Sequence, residues 1–168
     1  MPIYSGSQKL KSLYVGAQKI KEAWIWSGSA WQKVFTSIVL TPMRMNKSGT
    51  APTMPAQATT KITGWTADAG YPKTAIVNDG LVVNGPGNIT VTMSITRGTT
   101  FGALNDNVKI YRNGAQVAVS ANFSTGGTQT ATWSGTVALG DRIEAYYTNA
   151  EFSSTNTVTG GYLQYVIT

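Results

Sequence analysis

The sequence predicts an all-β protein in which an N-terminal arm of repeated β-hairpins precedes a β-sandwich. Charged residues make up only 12 % of the chain and 42 % is hydrophobic, while glycine, serine and threonine are frequent, which is typical of strands joined by tight turns. Residues 88–96 alternate between apolar and polar, mostly hydroxyl-bearing side chains, as in a half-buried strand. Asn113 and Gly114 separate two largely apolar runs, which indicates a two-residue hairpin loop.

A short unit repeats within the first 35 residues. Residues 11–14, 21–24 and 32–35 can be aligned, and each unit ends in an aromatic residue and has a glycine nearby. A period of about ten residues suits a hairpin and is too short for a helical solenoid. Because an isolated hairpin of this size is marginally stable in water, we expect the arm to need a partner surface, another copy of itself, or both.

The net charge of +6 lies entirely in the arm and the segment after it. Residues 1–35 contain five lysines and one glutamate, residues 36–58 add two basic residues, and residues 59–168 are neutral overall. Such a charge suits an acidic partner surface or nucleic acid. Alternatively, the lysines only solvate the outer face of an edge strand and prevent aggregation. Lysines spread over three strands are a weak nucleic-acid signal, so we expect no nucleic-acid partner.

Tryptophan is concentrated in the arm, since three of the five tryptophans lie within residues 24–31. An arm of about 35 residues is too small to bury them in a core of its own. They either pack on the C-terminal domain or anchor a protein–protein interface, where tryptophan and tyrosine often dominate the binding energy. We favour the interface. The predicted attachment residues are Tyr14, Trp24, Trp26, Trp31, Phe35, Lys9, Lys11, Lys19 and Lys21.

Residues 36–58 read as a linker that is rich in proline and methionine, with one further strand predicted at residues 37–40. The sandwich is predicted to span residues 59–168. Its strands are expected at residues 61–65, 88–96, 108–119 as a hairpin, 128–139 with a bulge at Gly135, 142–148 and 161–167. Its predicted core residues are Ile89, Val91, Ile110, Val117, Ile143 and Leu163.

Several classes of chemistry are excluded or disfavoured by composition. The chain contains no cysteine and no histidine, which removes disulfides, thiolate metal sites and serine–histidine catalysis. No run of about 18 apolar residues predicts a membrane span, and we identify no signal peptide. No pair of carboxylates has the setting of a glycosidase site. Residues 105–107 offer oxygen atoms but lack the spacing of a calcium loop. We therefore expect no catalytic residues, metal or cofactor.

Residues 80–168 resemble the trimeric jelly roll that tumour necrosis factor shares with the globular heads of complement's collagen-like recognition protein. The resemblance rests on the glycine-containing entry at 84–87, the 108–119 hairpin, the stretch 137–143 and the terminal strand Gly161, Tyr162, Leu163, Gln164 and Tyr165. It implies a jelly-roll fold and a homotrimer. The residues implied at the three-fold interface are Tyr146, Tyr147, Tyr162 and Tyr165.

The unit at residues 14–21 resembles tandem repeats near the N-termini of tail-associated structural proteins of actinobacterial phages. This implies a non-enzymatic virion protein, assembled in the bacterial cytoplasm and attached to other virion proteins through residues 1–35. We expect a minor tail protein whose loops at 98–107 and 151–159 contact the host surface, including its glycans. The alternatives are a capsid decoration or head-fibre protein and, more weakly supported, a glycan-cleaving tail enzyme or a free cytokine-like module.

Overall fold

The computed structural model describes residues 4–5, 8–9, 13–15, 17–36, 38–48, 52–98, 105–123, 127–152 and 155–168. The chain divides into two compact units, Met1–Val39 and Leu40–Thr168. The described residues form strands, turns and loops and contain no helix, which confirms the predicted all-β class. No described segment is a helix of the length and apolarity needed to cross a membrane.

The first unit consists of three antiparallel hairpins, as predicted for the arm. Their strands are β1 (Tyr4–Ser5) with β2 (Gln8–Lys9), β3 (Leu13–Val15) with β4 (Gln18–Ile20), and β5 (Glu22–Trp26) with β6 (Trp31–Thr36). The turn between β5 and β6 is closed by the amide of Ser27, which donates to the carbonyl oxygen of Ala30 over 2.9 Å. Gly28 in this turn has a φ of 95°, a conformation that glycine adopts without the steric cost of a Cβ atom.

The described residues of the second unit form twelve strands. They are β7 (Met43–Lys47), β8 (Thr53–Met54), β9 (Ala58–Lys61), β10 (Trp65–Ala67), β11 (Ile76–Val77), β12 (Gly80–Val82), β13 (Gly87–Arg97), β14 (Asn107–Arg112), β15 (Ala115–Val119), β16 (Gly127–Val137), β17 (Arg142–Asn149) and β18 (Asn156–Ile167).

Two six-stranded antiparallel sheets form the sandwich. Sheet I has the order β10-β7-β18-β13-β16, with β8 also paired to β18, and sheet II has the order β11-β12-β17-β14-β15, with β9 also paired to β17. Alternate residues of both sheets face one shared core. On β13 the inward residues are Ile89, Val91, Met93 and Ile95, and all four are fully buried, as the alternation predicts.

The predicted core is correct at five of its six positions. Ile89, Val91, Ile110, Ile143 and Leu163 are fully buried. Val117 is only partly buried, because β14 and β15 pair through a bulge between Ile110 and Tyr111 that places Ala118 opposite Ile110. A two-residue loop at 113–114 in an unbroken register predicts that Tyr111 pairs with Gln116 and Ile110 with Val117; the structure confirms the first pair and shows that the second is wrong. Asn113 and Gly114 have φ values of 51° and 83°, as a type I′ loop requires.

The structure differs from the predicted linker and from several predicted strands. Residues 43–47 and 53–54, which the sequence assigns to the linker, are strands paired with β18, and their methionines Met43, Met45 and Met54 are fully buried in the sandwich core. Residues 38–40 are not in a strand. The strand predicted at 61–65 is interrupted, since β9 ends at Lys61 and β10 begins at Trp65.

Gly135 is not at a bulge, because β13 and β16 pair without a register shift. A Cβ atom at this position would collide with the indole ring of Trp133, so the glycine leaves room for a neighbouring side chain on its own strand.

Candidate functional site

The most exposed cluster of large apolar side chains in the described part of the arm lies on one hairpin. Trp24, Ile25, Trp26 and Trp31 of β5 and β6 are 49 %, 49 %, 55 % and 66 % exposed. Trp26 lies opposite Trp31, and their ring centroids are 5.6 Å apart at an interplanar angle of 59°. Because alternate residues of a strand share a face, Trp24 lies on the same face as this pair. We call Trp24, Trp26 and Trp31 the tryptophan face.

A salt bridge orders one end of the tryptophan face. Nζ of Lys33 lies 2.7 Å from Oε1 of Glu22 and 4.8 Å from the centre of the Trp24 ring, so the ammonium group contacts both a carboxylate and an aromatic face. The indole nitrogen of Trp24 also donates to Oε2 of Glu22 over 3.2 Å. The hydrogen bond from Lys33 lowers the pKa of Glu22, even though the carboxylate is at the surface. These contacts hold Trp24 in one orientation.

The other predicted attachment residues are described to different extents. Lys19 and Lys21 are exposed. Lys9, Tyr14 and Phe35 lie in strands, but only their backbone is described, and Lys11 lies outside the described residues. The prediction did not include Ile25, although its position between Trp24 and Trp26 in an alternating strand was a usable signal.

The four tyrosines implied at a three-fold interface lie in three different places. Tyr147 and Tyr165 are fully buried inside the sandwich, so their side chains are not available to another chain. Burial raises the pKa of Tyr165 to about 12 and also raises that of Tyr147, whose hydroxyl donates to Asp106 over 2.6 Å. Tyr162 is on the outer face of sheet I, beneath the Arg44 guanidinium at 4.0 Å. Tyr146 is on the outer face of sheet II, stacked on Tyr111 at 4.3 Å.

The outer face of sheet I carries an array of hydroxyl groups that sequence reasoning did not assign to a function. The outward hydroxyl-bearing residues of β13 are Thr90, Thr92, Ser94 and Thr96, and those of β16 are Thr128, Thr130, Thr132, Ser134 and Thr136. Hydrogen bonds link Thr90 to Ser134 at 2.8 Å and Thr96 to Thr128 at 2.7 Å. Arg97, which is buried, is the only charged residue of β13, β16 and β18. We call this surface the hydroxyl face.

Two edge strands on one side of the sandwich also contain no charged residue. β15 and β16 are the terminal strands of their sheets, and they lie beside each other. Neither contains a charged residue or a proline. Exposed edge strands usually carry such residues, because unpaired backbone amides and carbonyls otherwise recruit further strands. We call this side the β15–β16 edge.

Six of the seven acidic side chains are held in ion pairs or hydrogen bonds. Of the seven, all described, five form ion pairs with basic residues: Glu22, Asp68, Asp106, Asp141 and Glu144. Asp79 accepts a hydrogen bond from the amide of Gly64, whereas Glu151 is buried and its Oε1 has no hydrogen-bond partner among the described residues. Within the described ranges no three acidic residues are grouped as a metal site would require.

The two loops expected to contact a host are anchored by buried residues. Asp106 ends the first loop and is fully buried in an ion pair with Arg97. In the second loop, Glu151 is 9 % exposed and the adjacent Phe152 is 90 % exposed. Residues 99–104 and 153–154 of these loops lie outside the described residues.

No protein-family model and no curated protein matches this chain. Among solved structures, an Eiger TNF from S. frugiperda is similar at a TM-score of 0.52 and 10 % sequence identity, covering 77 % of this chain and 92 % of that one. Rabbit GITRL is similar at a TM-score of 0.44 and 15 % identity, covering 75 % of this chain and 93 % of that one. The likeness to the Eiger TNF shows a TNF-like jelly roll and confirms the predicted fold.

Proposed function

We propose that this chain is a non-enzymatic structural protein of a bacteriophage virion, most specifically a homotrimeric minor tail protein. Its N-terminal arm attaches it to other virion proteins, and its TNF-like jelly roll is displayed for contact with the host surface. The observation that carries the proposal is the tryptophan face, which combines three large exposed aromatic side chains on one small hairpin.

An attachment role explains why these side chains are exposed. Exposed apolar clusters on a protein surface usually mark an interaction site, and buried tryptophans are among the residues that contribute most to binding. Lys33 and Glu22 hold Trp24 in place before binding, which reduces the conformational entropy that a partner must remove. The arm is therefore suited to docking on another protein.

Two uncharged surfaces of the sandwich support self-association. Interface cores are depleted in charged residues, and both the hydroxyl face and the β15–β16 edge lack them. Contact between the hydroxyl face of one copy and the β15–β16 edge of the next is a head-to-tail contact, and a rotation of one third of a turn closes it into a ring of three. Tyr162 borders this interface, whereas Tyr146 lies on the other sheet.

The absence of a catalytic role is supported by the acidic side chains. A glycosidase needs two carboxyl groups that flank one bond, one of which must act as an acid. Here the ion-paired carboxylates form local contacts with Arg, Lys and backbone groups, and Asp68 and Asp141 have lowered pKa values, which disfavours their use as acids.

The capsid alternative depends on a long extended strap. The structure leaves little chain for one, because residues 43–47 and 53–54 are sandwich strands. We therefore propose the tail location over the head.

The proposal is tested by locating the chain in a cryo-electron microscopy map of the phage particle. We expect density for the TNF-like trimer at the tail, joined to it by residues 1–35. Density on the capsid would instead establish the decoration or head-fibre role. A particle that lacks the chain altogether, or turnover of a host glycan by the purified protein, would overturn the proposal.

A further inference from the structure

The three hairpins of the arm share one cross-strand register. In each, an aromatic residue lies opposite a lysine, and the next residue lies opposite a glutamine. The pairs are Tyr4–Lys9 with Ser5–Gln8, Tyr14–Lys19 with Val15–Gln18, and Trp24–Lys33 with Ile25–Gln32. The aromatic residues are ten positions apart. This register replaces the sequence alignment of residues 11–14, 21–24 and 32–35, which matched other positions.

The third hairpin differs from the first two in its loop. In the first two hairpins two residues separate the paired segments, whereas in the third a further pair, Trp26 opposite Trp31, precedes a turn of residues 27–30. The additional pair brings Trp26 and Trp31 together at the end of the third hairpin. Their rings are tilted by 59°, so they form a wedge and not the flat surface on which a sugar ring stacks. The wedge suits an apolar pocket in a protein.

The positive charge of the arm indicates what kind of surface surrounds that pocket. The arm contains five lysines and one glutamate, and Glu22 already pairs with Lys33. Packing three such arms against one another would bring like charges together, which is unfavourable. An acidic surface complements them.

We propose that the arm is a tandem binding array whose three register-equivalent hairpins occupy equivalent acidic sites on an oligomeric protein, with the Trp26–Trp31 wedge inserted in an apolar pocket at the third site. This inference rests on the attachment function proposed above. Because the hairpins are linked, occupation of one site raises the effective concentration of the next, and affinity grows with each hairpin.

Equilibrium binding to phage particles assembled without this chain tests the array. One variant replaces the first hairpin, residues 4–9, with a glycine–serine segment of equal length, and another carries Trp26→Ala and Trp31→Ala. We expect the first to raise the apparent Kd by about tenfold or more, and the second by about a hundredfold or more. The thermal transition of the sandwich, unchanged in both, serves as the folding control.

The outcomes separate the array from the attachment function. If replacing residues 4–9 leaves the Kd unchanged while the tryptophan variant loses binding, the array is overturned and a single-site anchor remains. If anionic phosphatidylglycerol vesicles or double-stranded DNA bind the full chain as tightly as the particles do, the acidic protein partner is overturned. If the wild-type chain does not bind the particles, the proposed attachment function itself fails.

Discussion

Arg97 and Asp106 form an ion pair in which both side chains are fully buried, with Nη1 of the arginine 2.8 Å from Oδ2 of the aspartate. The carboxylate also accepts hydrogen bonds from the hydroxyl of Tyr147, the amide side chain of Asn156 and the backbone amide of Ala150. Asp106 therefore connects β13, β17 and β18 with the loop after β17, at the end of the sandwich where the two candidate host-contact loops begin.

Removing Asp106 should destabilise the sandwich strongly. Asp106→Ala leaves a buried guanidinium without its carboxylate, and we expect a loss of about 3–5 kcal/mol in the free energy of unfolding. Urea denaturation measures the effect. Asp79→Ala, which removes a partly buried turn carboxylate that accepts one backbone hydrogen bond, is the control, with a smaller loss of about 1–2 kcal/mol. Equal losses in the two variants would contradict a special role for the buried pair.

Protonation of Asp141 should lower the stability of the sandwich at low pH. Burial alone would raise the pKa of this carboxyl group, but hydrogen bonds from the amide of Ala138 and from Asn113 and Arg112 outweigh it and lower the pKa below its ordinary value of 3.8. The folded state thus favours the ionised form, so the stabilisation is complete above about pH 5 and is lost as the pH falls through the lowered pKa. Thermal melts between pH 6 and pH 2 should show a smaller pH dependence in Asp141→Asn than in the wild type. An unchanged profile would argue against this linkage.

Two glycines with positive φ should differ in their tolerance of alanine. Gly114 has a φ of 83° and open space around its Cα, so Gly114→Ala should cost about 1 kcal/mol from backbone strain alone. Gly161 has a φ of 137°, and a Cβ there would collide with the carbonyl oxygen of Ser94 on the neighbouring strand. Gly161→Ala should therefore cost clearly more, about 3 kcal/mol or above. Chemical denaturation of the two variants compares them, and a smaller loss for Gly161→Ala would refute the close approach of β13 and β18.

The proposed homotrimer predicts a mass of three 17.9 kDa chains in multi-angle light scattering. Thr132 is exposed on the hydroxyl face, and Thr132→Lys should dissociate the trimer because it places a charge in the interface. Thr59→Lys puts the same charge on the outer face of sheet II and should leave the mass unchanged. A stable wild-type monomer at micromolar concentration would rule out the homotrimer.

Attachment to the virion should depend on the tryptophans more than on the lysines. Truncated interface anchors typically cost about 2 kcal/mol or more each, so Trp24→Ala with Trp26→Ala should reduce incorporation by orders of magnitude. Replacing Lys9, Lys11, Lys19 and Lys21 with glutamine should mainly slow association at low salt. Quantifying the chain in purified particles checks both. Normal incorporation of the tryptophan variant, together with a collapse of its thermal stability, would mean that these residues belong to a structural core.

Local sequence determined the elements whose signals are short-range. The alternation along β13 specifies which residues face inward, since successive side chains of a strand point to opposite sides, and the structure buries Ile89, Val91, Met93 and Ile95 as expected. Asn113 and Gly114 specify a tight loop because both adopt positive φ readily. The hairpin repeat and the clustering of tryptophan were likewise visible in the residues alone.

Tertiary structure decided what depends on partners distant in the chain. Met43 and Met45 look like linker residues until β7 pairs with β18, more than 110 positions away, and buries them. Val117 does not lie opposite Ile110, because a bulge shifts the β14–β15 pairing. No local sequence signal marks that shift. Tyr146 and Tyr147 are chemically alike, but they point to opposite faces of sheet II. Because sheet II packs on sheet I, Tyr147 is buried beside Asp106, whereas Tyr146 lies on the outer face against Tyr111. The sequence alone specifies the alternation of strands and the tight turns. Which residues are buried, and how the strands pair, depends on contacts between residues that are far apart in the chain.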